Sequence, residues 1–391
     1  MDDTSAGNSG SAKAFAPADK PARLDILGQC LRLNSTIEAP ASLRDEIVAL
    51  GWDALLGLAD ELRLTSALTA AIEAKGLAPV IPELTLPDGR MTVTAALAKR
   101  REDHLRRREA FCSRCDELVM ALNAAQIEPI LIKGGRSLWL GTPAWRSLRD
   151  IDLLVPGREA VSAQAIALSL GYEAGSEPEE RKGWHHFDNL FRPDMPGWIE
   201  IHRRGGVPRA EQFISTAELV ASATAVALPG RGTARVLPAH LHILHSMVHH
   251  HIGHRGDRYG LIDLKGLFEF AAECAELGPD ERTLLMARAA RHPRLLAITE
   301  LWIAAASRFF GMPIEPPLVV QPDAVHWWDH VSARLETPFN ELVRNAGVAE
   351  ERAAAGQLER LRRAPFGNTA IGRQFWRLAI SASFAQRISL S

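Results

Sequence analysis

The chain has 391 residues, 47% of them hydrophobic, with 45 Lys and Arg against 47 Asp and Glu, for a net charge of −2. This length can bury a large core and favours two or three domains, while the near-neutral balance excludes a global field that would draw the protein to nucleic acid or a membrane. Four scattered cysteines exclude a disulfide scaffold. With no charged-then-apolar leader and no uncharged apolar run of the roughly 18 residues a spanning helix needs, a cytoplasmic protein without a membrane span is expected.

Met1 to Pro21 is rich in Ser, Ala, Gly and Asp and lacks apolar periodicity, so a disordered tail is expected. From Ala22 the pattern is helical: Trp52, Leu55, Leu56, Ala59 and Leu62 fall on one helix face. Pro79, Pro82, Pro87 and Gly89 mark a loop. A long helix follows from Thr92 to Ala125. Its Arg100, Arg101, Arg106, Arg107 and Arg108 read as a solvated basic face in preference to a nucleic-acid contact. Cys112 and Cys115 lie inside it without a second pair, which favours helix packing over metal or redox chemistry.

Beyond Gln126 the character changes. Ile130-Leu131-Ile132 reads as a strand, Lys133-Gly134-Gly135 as a turn, and Arg136 to Leu140 as a short helix. Arg149 to Val155 is a second strand, whose period of two puts Asp150 and Asp152 on one face and Ile151, Leu153 and Val155 on the other. Arg158 to Leu170 is a helix stopped by Gly171. Trp184 to Phe191 and Trp198 to His202 are strands around a Pro193–Gly197 turn, and the alternation puts Glu200 and His202 together. From Glu211 onward helices are expected. Pro238 opens one, Leu261 to Leu277 forms the next, and Pro293 separates two more. Beyond the Ile314–Pro322 connection, further helices cover Ala324 to Asn345, Glu350 to Arg363 and Ile371 to Ile388. The fold class is α+β, a small mixed-sheet core flanked by N- and C-terminal helical regions.

Two acids side by side on a buried strand repel each other unless a cation sits between them. Mg²⁺ or Mn²⁺ takes oxygen ligands and leaves part of its shell for substrate phosphates, while backbone N–H groups beside small residues hold the phosphate itself. Asp150, Asp152 and Glu200 are therefore the candidate metal and catalytic set. Lys133, Gly134, Gly135, Arg136 and Arg149 are the candidate nucleotide contacts, with Arg146 as a further balance for phosphate charge. His202 joins the nucleotide-contacting set, with a buried, hydrogen-bonded histidine as the alternative. Plain surface acidity competes with the metal reading, and the glycine pair upstream and Glu200 downstream favour the metal. In the His240–His254 cluster, His245 and His249 are spaced i, i+4, yet no Glu completes a His-Glu-x-x-His motif. A structural or nucleotide-facing role is preferred, with His249 and Asp263 closing the site from the helical side.

Leu131 to Gly135, Arg146 to Val155, Gly171-Tyr172 and Ile199-Glu200-Ile201-His202 resemble the bacterial "uncharacterised nucleotidyltransferase" family of the DNA polymerase β-like nucleotidyltransferase superfamily. The resemblance runs from about Ala22 to Gly278. It implies a metal site at Asp150, Asp152 and Glu200 and phosphate contacts at Gly134 and Gly135. The implied reaction is Mg²⁺-dependent transfer of a nucleoside monophosphate from an NTP, ATP foremost, to an acceptor hydroxyl or phosphate. The acceptor (peptide, polysaccharide intermediate or small molecule) is not named by the sequence, and nucleic acid is disfavoured. The expected division is a tail at 1–21, a helical region at 22–125, a nucleotidyltransferase core at 126–210 and a second helical region at 211–391. One departure stands out: many superfamily members carry Gly-Ser where this chain has Gly134-Gly135. That departure motivates the alternative of a catalytically weak nucleotide-binding or partner-docking module that retains the fold.

Overall fold

Thr92 begins the longest helix, its Oγ1 accepting from the Ala95 N–H at 3.1 Å. The helix then runs unbroken over Val93–Ala124, with no Gly or Pro to interrupt it. Arg100, Arg101 and Arg106 form exposed ion pairs with Asp60, Glu73 and Asp103. The second half turns Phe111, Cys115, Leu118, Val119 and Leu122 inward. A computed structural model of the chain describes residues 20–33, 41–78, 85–86, 89, 91–175, 185–254 and 262–318. The expected tail up to residue 19 and the helices beyond Ala324 lie outside the described residues, as does Trp184.

In chain order the elements are α1 (Lys20–Cys30), α2 (Ala41–Leu50), α3 (Trp52–Glu61), α4 (Thr65–Ala74), α5 (Val93–Ala124), β1 (Ile130–Leu131), α6 (Lys133–Leu140), β2 (Asp150–Leu154), α7 (Glu159–Ser169), β3 (Glu173–Ala174), β4 (Leu190–Phe191), β5 (Trp198–His202), α8 (Pro208–Glu211), α9 (Thr216–Ser222), β6 (Thr224–Leu228), β7 (Gly232–Val236) and α10 (Ala239–Val248). A π-helical turn, His249–Gly253, extends α10, and α11 (Leu264–Glu276), α12 (Pro279–Ala290) and α13 (Pro293–Phe310) follow. No helix among the described residues is long and apolar enough to cross a membrane.

The strands form one seven-stranded mixed sheet in the order β3-β4-β5-β2-β1-β7-β6, parallel at β2–β5 and β1–β7 and antiparallel elsewhere. Ile151 and Leu153 from β2 and Ile199 and Ile201 from β5 share one apolar core with Phe111, Leu118 and Leu122 of α5. A second core joins the N-terminal helices α1–α4 to α10, α11 and α13. The sheet thus has α5 behind it, and its other face is left to carry Asp152, Glu200 and His202.

Two expectations are corrected. Of the Trp184–Phe191 stretch only Leu190–Phe191 is a strand, with His186 making an isolated bridge to His202. Beyond Glu211 the chain is not uniformly helical, because β6 and β7 form a hairpin that completes the sheet beside β1. The Pro229-Gly230 turn between two short stretches, Thr224–Leu228 and Gly232–Val236, is the signal that marks it.

Candidate functional site

The parallel pairing of β2 with β5 brings the acids together. Asp152 and Glu200 are direct Cα partners, as are Asp150 with Trp198 and Leu154 with His202. Because the apolar members of both strands enter the α5 core, Asp152, Glu200 and His202 emerge on the opposite face. Lys133, the first residue of α6, places its Nζ 2.8 Å from Asp152 Oδ1. His202 Nε2 lies 2.9 Å from the same oxygen and 3.4 Å from Glu200 Oε2. Glu200 Oε1 accepts the Trp198 indole N–H at 2.9 Å. Lys133 holds a left-handed backbone at φ 46°, uncommon for a residue with a side chain and maintained only where surrounding contacts over-determine it.

The glycine pair divides its work. A Cβ on Gly135 would stand 2.6 Å from the Asp152 carbonyl oxygen, so α6 can lie on β2 only where that side chain is missing. A Cβ on Gly134 would make ordinary contacts, the nearest at 3.5 Å. A serine at position 135 would collide with β2 as the two elements now sit. Glycine here therefore reflects close helix–strand packing.

A cavity of about 830 Å³ opens over the acids. Of the candidate residues it gathers Asp150, Asp152, Glu200, Lys133, Gly134 and Arg149. The Arg149 guanidinium lies 5.5 Å from the centre of the Trp198 ring. Three candidates, Gly135, Arg136 and His202, do not line the cavity. The Gly135 N–H donates to the Ile132 carbonyl at 2.9 Å, inside the first turn of the helix. Arg136 donates its Nε–H to the Leu237 carbonyl at 3.1 Å. The reason is phase: α6 begins at Lys133, so Arg136 is carried round toward β7. His202 sits beneath the acids and orients them without lining the cavity. Arg146 lines it but is buried and paired with Glu269 at 3.1 Å and with Glu273, which makes it a structural cation.

The cavity wall also holds residues that strand and helix patterns did not single out: Arg63, His185, His186 and Lys265. His185 and His186 stack against His202 with ring centroids 5.2 Å away in each case. Of the expected histidine pair, His249 faces the cavity, while His245 is buried and donates Nε2–H to the Gly205 carbonyl at 2.6 Å. Cys112 and Cys115 are free thiols within α5.

Electrostatics follows from burial and neighbours. Burial and the adjacent Asp152 charge push Asp150 up to about 7. Burial also works to raise Asp152, but the Lys133 ammonium and the His202 contact hold it below the usual carboxylate range. Glu200 is held far below its ordinary value against burial, by the His202 contact and then by Lys133. Burial keeps His185 down to about 3, and it lowers His186 as well. The Lys133 ammonium is in ion-pair contact with Asp152, while Arg63, Arg149 and Lys265 stand elsewhere in the cavity wall. Asp152, Glu200 and His202 present ligand atoms within 4.8 Å of one another. An oxygen-rich, anionic donor set of this kind fits a hard divalent cation.

An apolar strand, a glycine turn, a helix packed against it and a parallel strand pair with acids on one face define a nucleotidyltransferase-type α+β core. The chain belongs to the uncharacterised nucleotidyltransferase family, whose sequence model matches residues 49–311, from the end of α2 to the cap of α13. No curated protein and no solved structure matches the chain. Family membership makes the protein a member of a transferase family at the coarse level.

Proposed function

We propose that the protein moves a nucleoside monophosphate from an NTP, ATP foremost, to an acceptor hydroxyl or phosphate in the presence of Mg²⁺ or Mn²⁺. The observation that carries this reading is the pairing of Asp152 with Glu200 across β2 and β5, beside Asp150, in a cavity that also contains Lys133 and Gly134. Asp150, Asp152 and Glu200 are the residues that would hold the cation. When bound, a divalent ion neutralises phosphate charge and lowers the pKa of an attacking hydroxyl.

The chain's own residues have distinct parts in this reading. Gly134, in the half-buried first turn of α6, lines the cavity and leaves room for a phosphate to approach the helix N-terminus, where backbone donors and the dipole favour an anion. Arg149 and Lys265 line the cavity as further cations. His202 fixes the Asp152 and Glu200 carboxylates, and the His185 and His186 rings pack against His202. The acceptor oxygen attacks the α-phosphorus, a new O–P bond forms as the bond to the bridging oxygen breaks, and pyrophosphate leaves. Positioning and electrostatic stabilisation supply most of the acceleration in such transfers.

A second reading, a nucleotide-binding or partner-docking module with little catalysis, has two observations in its favour. Lys133 already occupies Asp152 Oδ1, and the Gly135 N–H is engaged within its own helix. Calorimetric titration with the four NTPs, in Mg²⁺ and then Mn²⁺, separates the possibilities. The transferase reading expects millimolar or tighter binding that is lost in Asp150→Asn/Asp152→Asn, together with pyrophosphate release. Binding that persists unchanged in that variant, without pyrophosphate release, supports the module. No binding of any NTP at millimolar concentration removes the transferase reading and the nucleotide-binding form of the module, and leaves partner docking.

A further inference from the structure

Where α10 runs into the π-helical turn His249–Gly253, the wider turn changes which histidines face one another. The His254 N–H closes it on the His249 carbonyl at 3.1 Å. His245 and His249, the pair that α-helical spacing brings together, point to different places. His250 and His254 converge instead, and Asp263, the N-cap of α11, meets them from across the cavity wall. Ligand atoms of the three lie within 4.8 Å of one another.

We propose that His250, His254 and Asp263 bind one divalent transition-metal ion of the zinc class, at a site separate from the three carboxylates. The donor types carry the choice of ion. Two imidazole nitrogens and one carboxylate oxygen suit zinc-class metals, whereas Mg²⁺ prefers oxygen ligands throughout. The contacts are built for it. His250 Nδ1 lies 2.9 Å from Asp263 Oδ2, yet this buried nitrogen has no aligned hydrogen bond. A ring nitrogen and a carboxylate oxygen at that distance need a proton or a cation between them, and an off-line geometry favours the cation.

The surroundings hold the ligands in place. A Cβ on Gly266 would stand 2.7 Å from His250 Cγ, so the imidazole lies flush on the α11 backbone because position 266 has no side chain. Asp263 Oδ1 accepts from the Lys265 backbone N–H at 3.3 Å and from Arg63 at 3.3 Å, while Oδ2 faces His250 at 2.9 Å and is also reached by Arg63 at 3.4 Å. These outer donors orient the carboxylate, as such partners do for ligating carboxylates, with Oδ2 the oxygen in contact with His250. His254 is the exposed member of the three. Both histidines line the cavity. A metal here would therefore keep an open position toward whatever enters it, a phosphate oxygen or carboxylate being the matching chemistry.

The test uses the full chain, treated with chelator and returned to a large excess of Mg²⁺ so that the carboxylate set is saturated. Co²⁺ is then added and its visible ligand-field absorption followed. The expected result is one Co²⁺ per chain, displaced by Zn²⁺. Affinity should fall more than about tenfold in His250→Ala, in His254→Gln and in Asp263→Asn, and remain unchanged in Asp150→Asn/Asp152→Asn. His254→Gln changes an exposed residue and so guards against loss of fold in the other variants. Failure to bind Co²⁺ stoichiometrically overturns the proposal. So does binding unaffected by His254→Gln, or absorption lost in the aspartate variant alone. The last outcome would assign the ion to the carboxylates and leave the transferase reading untouched.

Discussion

Lys133 Nζ lies 2.8 Å from Asp152 Oδ1, and this one contact ties the start of α6 to the acid-bearing strand β2. Both groups are buried, so removing the ammonium leaves an uncompensated carboxylate beside two others. Lys133→Met is expected to cost about 3–5 kcal/mol of stability, the usual effect of breaking a buried pair. Mn²⁺ should restore part of that loss and raise the midpoint of urea unfolding more in the variant than in the parent. Equal shifts in the two proteins would show that the acids do not take up a cation in place of the lysine.

The two glycines of the turn are expected to respond oppositely. Gly135→Ala drives a Cβ into the Asp152 carbonyl and should destabilise by about 1–3 kcal/mol, as overpacking does. Gly134→Ala meets only ordinary contacts and should be neutral or slightly stabilising, since alanine favours the helix. Urea unfolding with an unchanged slope reads the difference. Similar costs at both positions would contradict the packing role given to Gly135.

Arg146 is expected to act on stability before it acts on substrate. It is buried between Glu269 and Glu273, and Arg146→Ala removes the guanidinium from both carboxylates, leaving Glu269 with Lys265 and Glu273 with His242. A loss of about 3–5 kcal/mol is expected, with Arg146→Lys recovering only part of it because an ammonium lacks the guanidinium fork. A folded, fully stable Arg146→Ala protein with weakened nucleotide binding would instead return Arg146 to the phosphate-balancing set.

Stability is expected to fall as pH falls from 7 to 5. His251 is buried under Trp302, and burial followed by the Arg294 charge keeps it down to about 3. His245 is likewise held to about 3 by burial, partly offset by its bond to Gly205. Between these values and the ordinary histidine value of about 6.5, the unfolded chain binds protons that the folded chain refuses. Stability is therefore complete above that window and is lost on acidification, by up to about 1.4 kcal/mol per pH unit for each histidine. His251→Phe should show a shallower decline in urea midpoint between pH 7 and pH 5. Parallel declines would mean that His251 takes no part.

The elements that were legible share a local cause. Thr92 marks the start of α5 because its side chain caps the first turn, and the helix then continues to Ala124, as its periodicity indicates. Asp150 and Asp152, and Glu200 with His202, alternate with apolar residues, so their shared faces follow from the strand period alone. The β6–β7 hairpin is hard to tell from helix in sequence because short, alanine-rich strands carry little periodicity, although Pro229-Gly230 punctuates them. Arg136 reads as a phosphate contact in sequence because the residue order does not say where α6 begins. His185, His186, Arg63 and Lys265 come from loops and helices far apart in the chain, and no local pattern could have assembled them.

By itself, then, the amino-acid order determined the long helix and the two acid-bearing strands, because each depends on a short-range period or a cap, whereas the expected Lys133–Gly135 turn is the first turn of α6. Tertiary structure alone decided that β2 and β5 run parallel with Asp152 opposite Glu200, that Lys133 rather than Arg136 reaches those acids, and that His250 and His254 rather than His245 and His249 meet Asp263. Strand partnering and helix phase are set by burial of the two apolar cores. That is a property of the whole chain, and no segment contains it.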